Sequence, residues 1–161
     1  MSEQAEPDET TDPYDLERFV QAQEGDYARA RSELQRRRKR SHWMWYVFPQ
    51  LRGLGHSAMA ERYAIRSAAD AAAYLRHPVL GPRLVACAEA VLAAKGRSAR
   101  EIFGSPDDLK LRSSATLFAR VSGPGSVFHQ ILEQYFDSEP DRMTLALLGT
   151  ADGSGGESSR G

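Results

Sequence analysis

The chain has 161 residues, of which 41% are hydrophobic and 27% are charged, and these proportions are ordinary for one globular domain. Its formal net charge of −1 offers no global field that would steer nucleic acid or an anionic membrane toward it. Cys87 is the single cysteine, so an intrachain disulfide is excluded and a reducing compartment fits best. No apolar run approaches the roughly 20 residues that a membrane-spanning helix needs. The sequence therefore predicts a cytoplasmic protein without membrane contact.

The two ends of the chain lack the apolar residues that a packed structure requires. Residues 1–12 are polar and acidic, and residues 149–161 are rich in glycine and serine. Such segments bury too little surface to offset the entropy of ordering, so we expect disordered tails. The folded part is predicted to be one domain over residues 13–148.

Helix signals dominate residues 13–148. Asp12 before Pro13 is typical of a helix start, and Asp26 could cap a second helix. Serine precedes four further helical patterns, at Ser57, Ser67, Ser98 and Ser126. No pair of convincing alternating strands occurs. The predicted fold is all-α: a compact, multihelical single domain of about seven to nine helices.

The segment "SHWMWYVFPQ" (residues 41–50) contains both tryptophans of the chain. We expect a short helix from about His42 to Phe48, capped by Ser41, that crosses the centre of the domain. One interpretation is that the aromatic residues are only core. The other is that the segment forms the wall of a ligand pocket, where Trp43 or Trp45 stacks on a planar group and Gln50 forms a hydrogen bond.

The next stretch, "LRGLGHS" (residues 51–57), places two glycines before a predicted helix start. Backbone N–H groups of Gly53, Gly55 and Ser57 could face an anion, with Arg52 adding positive charge. The stretch is neither a dinucleotide-binding nor a Walker sequence, and a plain tight turn is the alternative.

A basic run, Arg36–Arg40, precedes the aromatic segment. It could contact phosphates, although cations are also favoured at the C-terminal end of a helix, where this run falls. Because the chain has no basic excess, the sequence argues against nucleic acid as the main partner. The histidines show no close zinc-type spacing, so neither a metal nor another cofactor is expected.

A second polar cluster lies in "DDLKLRSSATLF" (residues 107–118). Lys110 and Ser114 are four residues apart and share a helix face. Their hydroxyl and ammonium groups could face a ligand. The alternative is that the serines bond back to helix carbonyls or pack against another helix.

These blocks together resemble a bacterial family of small domains known as domain of unknown function 1810. The resemblance runs from "DPYDLERFVQAQ" through "SHWMWYVFPQLRGLGHS" and "DDLKLRSSATLF" to "DRMTLALL". It implies a compact multihelical fold and no established activity. Some relatives carry the label calpastatin, but calpastatins are long disordered inhibitors with short repeats, and this sequence contains no such repeat.

Three functional hypotheses follow. The first is a pocket for a small anionic, nucleotide-like metabolite built around residues 41–57, with His42 as the candidate acid or base if a reaction occurs. The second is a protein-interaction module without catalytic activity, in which the aromatic segment is wholly core. The third is nucleic-acid binding through Arg36–Arg40.

Overall fold

The structure, a computed structural model, describes residues 12–151. This part of the chain contains ten helices and no strand, so the predicted all-α class is confirmed, with ten helices against the predicted seven to nine. The helices are α1 (Glu17–Gln23), α2 (Tyr27–Gln35), α3 (Met44–Val47), α4 (Ala58–Arg62), α5 (Ala68–Arg76), α6 (Leu80–Ala93), α7 (Ala99–Phe103), α8 (Asp107–Arg120), α9 (Val127–Phe136) and α10 (Arg142–Ala151).

The predicted serine caps are present. The Ser57 side chain accepts from the backbone of Ala60, and Ser67, Ser98 and Ser126 cap α5, α7 and α9 in the same way. Ser98 also forms a full capping box, because Glu101 accepts from the Ser98 backbone N–H (2.8 Å). A cap involves residues within one turn of each other, so sequence spacing predicts it well.

The predicted aspartate caps are wrong in detail. Asp12 accepts from the backbone of Leu16 (2.7 Å) and Glu17 (3.1 Å), and α1 begins only at Glu17, because a turn precedes it. Asp26 makes no cap bond; its carboxylate accepts instead from the Tyr46 hydroxyl and pairs with Arg29.

The helix predicted from His42 to Phe48 is shorter than expected, since α3 spans only Met44–Val47. Ser41 does not cap it. Its hydroxyl donates to Glu33 Oε2 (2.5 Å) and its backbone N–H to Glu33 Oε1 (3.0 Å). This buried carboxylate holds the chain in a loop up to Trp43, so the helix starts later.

Helix α8 lies at the centre of the domain. Every residue from Ser113 to Ala119 is buried, and α8 packs against α5, α7, α9 and α10. A second group forms around α6, which packs against α2, α5 and α9. The aromatic segment joins the core from the side of α1, which contacts α3.

The chain after α3 is extended for a few residues on each side of α4. Leu51 and Ile65 form an isolated parallel bridge, in which Arg52 N donates to Ile65 O (2.8 Å) and Ile65 N to Gln50 O (2.9 Å). The bridge clamps the ends of residues 50–65 together. Residues 50–65, which contain the glycine turn and α4, therefore form one closed loop beside the aromatic segment.

The domain boundary predicted at residue 148 falls inside α10, which extends to Ala151. The expected disorder of residues 1–11 and 152–161 lies outside the described residues. Between residues 12 and 151, no helix combines the length and the apolar character needed to cross a bilayer.

Candidate functional site

Trp45 is the one aromatic residue of the segment 43–48 that is not buried. Trp43 has no exposed surface, and its indole Nε1 donates to Glu33 Oε1 (2.9 Å). Tyr46 and Phe48 are also buried. Most of the segment is therefore core, and a single indole reaches the surface.

Trp45 forms part of the wall of a cleft of about 320 Å³, here called the glycine-turn cleft. The bridge between Leu51 and Ile65 positions its walls, because it holds both ends of the loop that surrounds the cleft. The residues that line it are Trp45, Gln50, Leu51, Arg52, Gly53, Gly55, His56, Ala60, Glu61 and Ala64. This volume is at the lower end of the range for small-molecule sites.

The two glycines shape the turn for structural reasons. Gly53 has a φ of +101°, a conformation that side chains with a Cβ rarely adopt. A Cβ on Gly55 would lie 2.7 Å from the Cβ of Ala60, so only glycine lets the turn approach α4 this closely. Ser57 is occupied as the cap of α4 and does not line the cleft.

Gln50 connects the cleft to the central helix. Its Oε1 accepts a hydrogen bond from Ser113 Oγ on α8 (2.7 Å). Its Nε2 has no hydrogen-bond partner within residues 12–151, and the side chain is half-buried in the cleft wall. The amide group is thus fixed in orientation and keeps two free N–H donors for a ligand.

The polar groups at the cleft come from the turn and from α4. Arg52 and His56 are exposed at the turn, and Glu61 is exposed on α4. The arrangement offers a guanidinium for an anion and a carboxylate that accepts hydrogen bonds. A ligand with an anionic group and separate hydroxyl or amino groups would match both.

A second cleft, of about 300 Å³, also has Trp45 in its wall and is here called the lysine cleft. Asp107 pairs there with Lys39 Nζ (2.9 Å) and Lys110 Nζ (3.6 Å). The Lys110 ammonium lies 5.9 Å from the centre of the Trp45 ring, within the range of a cation–π contact. His42 is exposed at the edge of this cleft. Its cations are therefore already partly neutralised by protein groups.

The candidate residues predicted from the sequence lie in three places: the glycine-turn cleft, the lysine cleft, and positions outside both clefts. Those that line the glycine-turn cleft are Trp45, Gln50, Arg52, Gly53 and Gly55. His42 and Lys110 line the lysine cleft, which Trp45 shares. Trp43, Ser57 and Ser114 line neither; Ser114 is buried, and its Oγ has no hydrogen-bond partner within residues 12–151. These three residues therefore do not belong to the candidate site.

Sequence reasoning missed two polar cleft residues, His56 and Glu61. His56 lies between Gly55 and Ser57, the residues of the predicted anion-binding turn. Glu61 follows the cap residue Ser57 by four positions, so it lies one helical turn away on the same side of α4. The four-residue spacing from Ser57 could therefore have indicated Glu61. Only the position of Trp45 in the structure shows that this side of α4 lines the cleft.

Two chemical roles have no support in the described part of the chain. Within residues 12–151, no group of three His, Cys, Asp or Glu side chains could hold a metal ion. Cys87 is buried, and burial raises the pKa of its thiol to about 12, so the thiol stays protonated at neutral pH. Cys87 is a small core residue and not a nucleophile.

The fold and the clefts define an all-α domain in which one partly exposed indole, that of Trp45, lines two polar clefts. Residues 13–148 match the family described as protein of unknown function DUF1810, and the chain belongs to this family. The crystal structure of the conserved hypothetical protein Rv1873 from Mycobacterium tuberculosis is similar, with a TM-score of 0.83 and 55% sequence identity. The similarity covers 85% of this chain and 98% of that one. No curated protein matches the chain.

Proposed function

We propose that the glycine-turn cleft binds a small anionic metabolite that carries a planar ring, such as a nucleotide. The observation that carries this proposal is the position of Trp45. It is the one partly exposed aromatic residue of the segment 43–48, and its indole lines the same cleft as Arg52 and the free amide of Gln50. An aromatic surface beside a guanidinium is the combination that a ring with a phosphate or carboxylate group requires.

Each polar group of the cleft has a distinct part in this binding mode. Trp45 stacks on the ring, and Arg52 pairs with the anionic group. Gln50 donates from Nε2, because its Oε1 is occupied by Ser113. Glu61 accepts from hydroxyl or amino groups of the ligand, which favours a sugar-containing ligand over a bare aromatic acid. His42 lies in the other cleft, so no residue of the glycine-turn cleft is assigned a catalytic step.

The alternative of an interaction module without a ligand site requires His42 and Gln50 to be buried and internally satisfied. His42 is exposed, and Gln50 is half-buried with a free amide at a cleft. Both observations support the binding proposal over that alternative.

The first test is the thermal unfolding midpoint of the protein against a panel of nucleotides and phosphorylated metabolites. A ligand present at about 100 times its Kd adds about 2.7 kcal/mol to the free energy of unfolding. For a domain of this size, the midpoint should rise by several degrees. Arg52→Ala should abolish the shift, while Arg76→Ala, which removes an exposed arginine outside both clefts, should preserve it.

A panel that produces no shift would contradict the proposal. So would a shift that Arg52→Ala and Arg76→Ala reduce equally, since that result would reflect general charge and not this cleft.

Tryptophan fluorescence tests the exposed indole directly. Trp43 is fully buried and Trp45 is not. Acrylamide should therefore quench the protein strongly, and Trp45→Phe should leave a fluorophore that is quenched several-fold less. Trp43→Phe, the matched control, should leave the quenchable component in place. Equal quenching of both variants would contradict the assignment of Trp45 as the accessible residue.

A cytoplasmic location and a bacterial source form part of this proposal. Cys87 is unpaired and buried, as is usual in a reducing compartment, and the similar solved protein comes from a bacterium.

A further inference from the structure

Two basic stretches that are far apart in the sequence meet on one face of the protein. Arg37 Nη1 donates to the backbone oxygen of Lys95 (3.3 Å), and the backbone N–H of Lys39 donates to Ile102 O (2.7 Å). These bonds hold the loop after α2 against the segment that enters α7. The exposed cations assembled in this way, here called the basic face, are Arg36, Arg37, Arg38, Arg40, Lys95, Arg97 and Arg100.

Within residues 12–151, the basic face holds more cations than the carboxylates around it can balance. No member forms an ion pair within residues 12–151, where the ion pairs involve other cations. These stretches contain only two carboxylates, Glu33 and Glu101, against the seven cations, so an excess of positive charge remains. Glu33 is buried and accepts from Arg40 N, Ser41 N and Trp43 Nε1, and Glu101 accepts from Ser98 N.

The buried carboxylate also explains how the loop holds its shape. Glu33 Oε1 accepts from the backbone of Arg40 (2.8 Å) and Ser41 (3.0 Å), while Arg38 N donates to Glu33 O (3.0 Å). The backbone thus turns inward around Glu33, and the arginine side chains point outward. Such a preorganised surface loses less conformational entropy on binding than a flexible basic tail.

We propose that the basic face binds the phosphate backbone of a nucleic-acid duplex without reading its bases. Six of its seven cations are arginines, whose guanidinium groups bind phosphate in a bidentate manner. The net charge of −1 does not oppose this binding, because five acidic residues fall within residues 3–12 and the field at a surface is local.

Two observations favour a duplex over other polyanions. None of the residues that form the basic face is aromatic, so the face lacks the stacking surface that single strands require. The exposed large hydrophobic residues are Leu109, Met143 and Leu145, none of which belongs to the basic face. An anionic membrane would therefore find no apolar group to insert.

The test is fluorescence anisotropy of a labelled duplex of about 20 base pairs and mixed sequence, titrated with the full chain between about 50 and 200 mM salt. Each phosphate contact contributes about −0.9 to the slope of log K against log salt, so five or six contacts give a slope of about −5. A second duplex of unrelated sequence should bind equally, and a single strand of the same length no more tightly.

Charge reversal at matched positions locates the binding surface. Arg38→Glu/Arg97→Glu changes two members of the basic face, and Arg76→Glu/Arg142→Glu changes two exposed arginines elsewhere by the same net charge. The first variant should bind the duplex at least tenfold more weakly, with a slope shallower by about two. The control should lose less than threefold. Arg38→Gln/Arg97→Gln serves as a milder variant if the reversal impairs folding.

Three results would overturn the proposal: no duplex binding at the lowest salt, equal losses in the two charge-reversed variants, or tighter binding to vesicles containing phosphatidylserine than to the duplex. The experiment is independent of the glycine-turn cleft, since no residue of that cleft is changed.

Discussion

Gly81→Ala is expected to lower the free energy of unfolding by about 3 kcal/mol. Gly81 lies in the first turn of α6, where a Cβ would be only 2.1 Å from the backbone oxygen of Leu75 in α5. A flexible side chain could move aside at little cost, but a backbone carbonyl within a helix cannot. The two helices must therefore separate, and urea unfolding followed by circular dichroism should show a lower midpoint with an unchanged slope.

Gly123→Ala is the matched control for this substitution. Gly123 is exposed, its φ is not positive, and a Cβ there would have no atom within 4 Å. Its stability should stay within about 0.5 kcal/mol of the parent protein. A Gly81→Ala protein as stable as the Gly123→Ala protein would show that α5 and α6 do not approach as closely as the structure has them.

Helix starts were predictable from the sequence wherever the determinant is local. Ser57, Ser67, Ser98 and Ser126 cap their helices through a backbone N–H three residues later, which is a distance that sequence spacing encodes. Asp26 has the right residue type and position for a cap. Its carboxylate instead accepts from Tyr46, which lies 20 residues further on, and no local pattern contains that partner.

For the aromatic segment, the sequence predicts burial but does not predict which tryptophan remains accessible. A run that is apolar on every face predicts burial, and Trp43, Tyr46 and Phe48 are buried. Only the packing of other elements decides which indole stays accessible. Trp43 is buried against Phe48 and Phe103, and its Nε1 donates to Glu33, whereas the Trp45 ring lies beside Lys110 of α8. The two tryptophans are equivalent in the sequence and different in the fold.

The clefts depend on contacts between residues that are even farther apart in the sequence. Gln50 is oriented by Ser113, which lies 63 residues away, and the basic face exists because Arg37 meets Lys95. The sequence shows the residue types that form the cleft and the basic face. It does not show that these residues lie close together in the fold. The same holds for His56 and Glu61, whose relation to Trp45 appears only once residues 50–65 close into a loop.

Glu33→Gln is expected to destabilise the protein by about 3 kcal/mol at neutral pH and by much less near pH 2. Burial alone would raise the pKa of this carboxyl group. The hydrogen bonds from Ser41, Arg40 and Trp43 outweigh burial and lower the pKa from 4.5 to about 2. The ionised form is therefore bound more tightly in the folded state than in the unfolded state. This stabilisation is complete above about pH 4.5 and is progressively lost as the pH falls to about 2, the pKa of the folded state, below which the carboxyl group is protonated in both states.

A glutamine at position 33 imitates the protonated carboxyl group, so the stability difference between the parent and Glu33→Gln should itself titrate. Urea unfolding of both proteins at several pH values between 2 and 7 measures that difference while the other acidic residues cancel. Glu89→Gln, on the exposed side of α6, provides the matched control for loss of a carboxylate and should change the stability only slightly at neutral pH. If the Glu33→Gln difference did not vary with pH, the carboxylate would not organise the loop that shapes the basic face and contacts Trp43.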